Sequence, residues 1–106
     1  MQKFLLTYHG KPDFEGPEDG AKHMEDWKAW STSLGSAMVD PGLPVGPSTT
    51  ITPTGVVDGG GSNPVSGITI IQAETLADAI ALAQGCPHLS GSGTIGISPA
   101  LDLEMK

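Results

Sequence analysis

Three histidines (His9, His23 and His88), one cysteine (Cys86) and an aspartate set before a Pro-Gly pair (Asp40) are the side chains most able to do chemistry. His23 is the most informative. An imidazole with an ordinary pKa near 6.5 suits proton transfer, and a carboxylate can orient or activate it. Asp40 follows seventeen residues later, a distance that a helix returning into a strand can close. The plain alternatives are a core-edge histidine with one hydrogen bond and an ordinary turn aspartate, which Pro-Gly favours. The three histidines form no HxH, HxxxH or HExxH spacing, so neither a metal nor another cofactor is expected. Cys86 stands alone and cannot close an internal disulfide. Its place at a helix end, where the dipole disfavours a thiolate, argues against a nucleophile. Gly91-Ser92-Gly93-Thr94-Ile95-Gly96 matches G-x-G-x-x-G literally. It follows a helix and enters a strand, whereas a dinucleotide site needs strand, turn and helix. No G-x-S-x-G elbow supports serine catalysis.

The elements that must position these groups follow from periodicity. Lys3 to His9 alternates as a strand, with Phe4, Leu6 and Tyr8 on one side and Leu5, Thr7 and His9 on the other. Residues 10–17 read as a loop. A helix is expected from about Glu18 to Leu34, with acidic Glu18 and Asp19 at its positive end. At about 100° per residue, His23, Trp27, Trp30 and Leu34 fall on one narrow stripe, opposite Glu25, Lys28, Ala29 and Thr32. Gly35 is the expected stop. Ser36 to Val39 reads as a second strand ended by the turn Asp40-Pro41-Gly42. Residues 41–48 and 58–66 are rich in Gly and Pro and read as irregular. Thr49 to Thr54 alternates around Ile51, with Pro53 arguing for an edge strand or a bulge. Ile68 to Ala73 is the strongest strand. Thr75 with Asp78 forms a cap for a helix carrying Leu76, Ala79, Ile80 and Ala83, stopped by Gly85 and Pro87. Thr94 to Ser98 is the last regular strand, and Leu101 to Glu104 a short strand or a tail.

Composition removes several functions. The 106 residues allow a single domain, 1–106, with a lean core at 38 % hydrophobic residues. Twelve acidic residues face five basic ones, all lysine, for a formal charge of −7. Nucleic-acid binding and an arginine clamp are therefore not expected. Phe4-Leu5-Leu6 is too short for a signal-peptide core or a membrane span. With one unpaired cysteine, a soluble cytoplasmic protein is the expectation.

The order β-α-β-β-α-β predicts an α+β, ferredoxin-like fold with two helices on one sheet face. Strand 1 and Ile68-Thr69-Ile70-Ile71 are apolar on both sides, so the other face calls for a partner subunit.

The N-terminal KFLLTYHG strand, the tryptophan-bearing helix with its glycine stop, Asp40-Pro41-Gly42, a hairpin near Asp58-Gly59 and the TLADAIALAQGCP unit together resemble the YCII-related proteins. That group includes the branch named for its DGPF motif. The resemblance spans nearly the whole chain. It implies a dimeric α/β barrel of two ferredoxin-like units packed sheet to sheet, and an enzymatic role built on a His–Asp pair, here His23 and Asp40. Asp58-Gly59 matches the first half of the DGPF motif; Gly60 and Gly61 stand where Pro and Phe would be. The resulting expectation is a small homodimeric enzyme using His23 and Asp40 for acid–base chemistry. Its substrate would be a small apolar or aromatic molecule walled by Tyr8, Trp27 and Trp30. The alternative is a non-catalytic small-molecule binder or accessory dimer in which His23 is structural.

Overall fold

The computed structural model describes residues 1–10, 17–90 and 92–101. The chain forms β1 (Gln2–His9), α1 (Pro17–Leu34), β2 (Met38–Pro44), β3 (Thr49–Thr52), β4 (Gly55–Asp58), β5 (Val65–Ala73), α2 (Leu76–Ala83) and β6 (Thr94–Pro99). Single 3₁₀ turns at Gly35–Ala37 and Pro87–Ser90 follow the two helices. The fold is α+β. The main sheet runs β2-β5-β1-β6, the second is the β3–β4 hairpin, and every pairing is antiparallel. Residues 11–16 of the loop expected over 10–17, and residues 102–104 of the segment expected over 101–104, lie outside the described residues, as do the side chains of Glu18 and Asp19, while Pro17 belongs to α1.

Alternation in β1 sorts its side chains as expected. Phe4, Leu6 and Tyr8 are buried beneath the helices, and Leu5, Thr7 and His9 are half-buried on the other face. Register carries the pattern across, because Phe4 pairs with Ile71, Leu6 with Thr69 and Tyr8 with Gly67. The α1 stripe also lies as the spacing requires. Trp30 is buried, His23, Trp27 and Leu34 are half-buried, and Glu25, Lys28, Ala29 and Thr32 are exposed. Gly35 adopts φ +56°, the left-handed conformation that ends a helix at least cost in glycine. In α2 the Thr75 hydroxyl accepts the Asp78 N–H at 3.1 Å. Only part of the expected α2 stripe is covered: Ala79 and Ala83 are buried, but Leu76 and Ile80 are exposed. Ala79, Ala83 and Trp30 belong to one buried core cluster, and the Trp30 Nε1 donates to the Leu82 carbonyl of α2 at 3.0 Å.

Two expectations are corrected. Ser36 lies in a 3₁₀ turn rather than a strand, and Asp40-Pro41-Gly42 does not end β2. The tripeptide is a bulge within the strand, since the pairing with β5 shifts between Met38 and Asp40 and again between Asp40 and Leu43. An edge strand tolerates Pro41 because the missing N–H has no ladder partner to lose. Gly42 has φ +69°, and a Cβ there would overlap the Ile68 carbonyl oxygen. Secondly, the Gly/Pro-rich stretches are only partly irregular: Pro41–Pro44 belongs to β2 and Val65–Ser66 to β5. Between them Gly55–Asp58 forms a strand paired with β3, and the hairpin turns at Pro53-Thr54 rather than near Asp58-Gly59. Ile51 and Val56 face each other across this hairpin, 81 % and 68 % exposed.

Candidate functional site

Tyr8, His23 and His88 meet at a cavity of about 490 Å³ between α1, β2 and the neighbouring ends of β1 and β5. His23, Met24 and Trp27 of α1 form one wall. Pro41 to Val45 form a second, Tyr8 and Gly67 to Thr69 the floor, and His88 one end. The bulge matters here. It turns β2 so that Pro41, Leu43 and Pro44 stand against the α1 wall instead of continuing a flat ladder.

Trp27 organises the aromatic wall. Its ring meets Tyr8 edge-on at 5.2 Å and Trp30 edge-on at 5.4 Å between centroids. Its Nε1 donates to His23 Nε2 at 2.6 Å, one helical turn away. An indole N–H only donates, so His23 Nε2 must hold a lone pair. Burial lowers the His23 pKa from its usual value, Asp26 opposes that, and the nearby His88 adds to the lowering. Both the bond and the shift hold His23 neutral.

The floor carries a directed hydrogen-bond chain. The Tyr8 hydroxyl donates to Thr69 Oγ1 at 2.7 Å, and Thr69 Oγ1 donates to the Pro41 carbonyl at 2.9 Å. Burial raises the Tyr8 pKa well above its ordinary value, although the Thr69 bond pulls the other way. The residue is a phenol at neutral pH. Burial likewise pushes the Cys86 thiol up to about 11, which favours the protonated thiol at neutral pH.

His88 is only 5 % exposed, and its ring lies 5.1 Å from Tyr8. Its Nε2 donates to the His9 carbonyl at 2.8 Å, which assigns the tautomer. Gly93 explains how the ring fits. A Cβ at Gly93 would fall 2.6 Å from His88 Nε2. His9 itself serves the other sheet face, where Nδ1 donates to the Asn63 and Pro64 carbonyls at 3.0 and 3.1 Å.

Of the residues expected at the site, Tyr8, His23 and Trp27 line the cavity. Trp30 lies behind Trp27 with its Nε1 tied to Leu82, and it is not part of the lining. Asp40 is not brought to His23. It sits exposed in the bulge, where Oδ1 accepts the Gly42 N–H at 2.8 Å. Among the described residues no hydrogen bond joins Asp40 to His23. The strand carries the carboxylate past the cavity because Asp40 stabilises the local Asx-type turn. The sequence reading did not place Met24, Thr69 or His88 at the site, although it counted His88 among the residues able to do chemistry. The signal for His88 was its position directly after the proline that stops α2, but only tertiary burial distinguishes it from a surface histidine.

The chain matches no family model and no curated protein.

Among the described residues, no three of His, Cys, Asp and Glu gather as metal ligands would, and no helix is long and apolar enough to cross a membrane.

Proposed function

We propose that this is a YCII-related protein of the cytoplasm that binds a small apolar or aromatic molecule. It acts as a homodimer of ferredoxin-like units packed sheet to sheet into an α/β barrel. The strand order β2-β5-β1-β6, antiparallel throughout, supports the ferredoxin-like reading. The half-buried Leu5, Ile68 and Ile70 on the face away from the helices support the dimer. The observation that carries the binding role is the cavity itself. Its 490 Å³ volume is that of a small-molecule site. Its walls are apolar and aromatic, and no Lys, Asp or Glu of the described residues lines it. A neutral ligand suits such walls, because a buried ion would lack a counter-charge.

Titration with 2-methoxynaphthalene tests this reading through Trp27 fluorescence. Saturable quenching that Trp27→Leu abolishes is expected. A linear, unsaturable response equal in both proteins would refute it.

A second reading, acid–base catalysis, draws support from His23, which is neutral and on the cavity wall. Asp40 would have to leave Gly42 to orient it.

A further inference from the structure

The cavity can be asked which hydrogen-bonding groups it still offers to an occupant. On the floor, the one proton of the Tyr8 hydroxyl goes to Thr69, and the one proton of Thr69 goes to the Pro41 carbonyl. Neither hydroxyl has a donor left, and the Tyr8 oxygen keeps only acceptor capacity. His88 extends the pattern. Its Nε2–H is held by the His9 carbonyl, so in the neutral ring the lone pair is on Nδ1. The Cδ2–Nε2 edge of the ring packs on Gly93, which leaves Nδ1 on the far edge. Every buried side-chain nitrogen and oxygen among the described residues has a hydrogen-bond partner. His88 lines the cavity, and its Nδ1 bonds to none of the described groups, so Nδ1 is the ring nitrogen left for an occupant.

We propose that His88 Nδ1 is the polar anchor of the site, and that the ligand is a neutral, largely apolar molecule presenting one O–H or N–H donor to it, as a phenol or an N–H heteroaromatic does. This rests on the cavity being a small-molecule site and adds the recognition group that the aromatic walls lack. An acceptor fixed in a buried ring selects strongly. A ligand without a donor leaves Nδ1 unpaired and dehydrated, whereas a donor replaces the water it displaces. His23 cannot take this role through Nε2, which accepts from Trp27.

The test compares 2-naphthol with 2-methoxynaphthalene, which has no donor, in wild type and His88→Leu. Leucine fills much of the ring's space and has neither donor nor acceptor. Wild type should prefer 2-naphthol by roughly tenfold, and His88→Leu should lose that preference while still binding 2-methoxynaphthalene. Equal binding of both compounds by wild type overturns the inference and leaves the cavity reading intact. Binding of neither overturns both. A measurement on wild type alone guards against misfolding of the variant. The ¹⁵N resonance of His88 Nδ1 should move from a bare lone pair toward a hydrogen-bonded one on adding 2-naphthol and stay still with 2-methoxynaphthalene. A resonance that ignores 2-naphthol while the compound binds also overturns the assignment.

Discussion

Trp27 Nε1 donates to His23 Nε2 at 2.6 Å, and this bond exists only while the imidazole is neutral. Protonation would set two N–H groups against each other. Burial, opposed by Asp26 and aided by His88, lowers the His23 pKa and independently favours the same neutral form. Because the folded value lies below the unfolded one near 6.5, the unfolded chain takes up the proton first as pH falls. The stability contributed by neutral His23 is thus complete above about pH 6.5 and is lost as the pH drops toward the depressed folded value. His23→Gln, whose amide oxygen can still accept from Trp27, should show a shallower loss of urea midpoint between about pH 7.5 and about pH 5. Parallel pH profiles for the two proteins would show that His23 is not responsible.

Tyr8→Phe removes the first link of the floor chain but leaves Thr69 donating to Pro41. No N–H or O–H donor is orphaned and only the weak Cys86 thiol contact is lost with it, so the cost should be near that of one hydrogen bond, about 1 kcal/mol in urea unfolding. A loss several times larger would mean that the hydroxyl also positions β2.

Gly42→Ala should be far worse than Gly35→Ala, although both residues have positive φ. At Gly35 a Cβ meets open space, and the cost is the left-handed conformation alone, about 1 kcal/mol. At Gly42 it meets the Ile68 carbonyl, so β2 must leave β5 or shift. A loss of at least about 3 kcal/mol is expected in equilibrium unfolding, together with loss of hydrogen-exchange protection at the β2–β5 ladder. Equal costs at the two sites would refute the clash.

Ile70→Lys tests the proposed dimer. Ile70 pairs with Leu5 on the face away from the helices, and a lysine there can reach water in a monomer but not between two sheets. Sedimentation at micromolar concentration should give a dimer for wild type and a folded monomer for the variant. Identical masses for both proteins would count against sheet-to-sheet packing.

What the sequence made legible was local. The alternation of Phe4, Leu6 and Tyr8, the helical stripe from His23 to Leu34 and the Thr75–Asp78 cap each depend on neighbours within a few residues, and each lies where its spacing requires. What was illegible depends on partners distant in the chain. The reading of Asp40-Pro41-Gly42 as a terminating turn was reasonable chemistry. Only the edge position of β2 and the proximity of Ile68 turn it into a bulge. The site divides in the same way. Tyr8, His23 and Trp27 were recognisable because the faces of β1 and α1 are periodic. His88 was not, because its tautomer depends on the His9 carbonyl, 79 positions away in sequence.

The absence of lysine and carboxylate side chains from the described cavity lining also bears on kinetics. A site with no charge on its walls projects little field into the solvent, and a neutral visitor is insensitive to the −7 of the whole chain. Capture then lacks electrostatic steering, and its rate should barely change with ionic strength. Selection falls to residence time: a molecule that satisfies the acceptors inside stays, and one that does not leaves as quickly as it came.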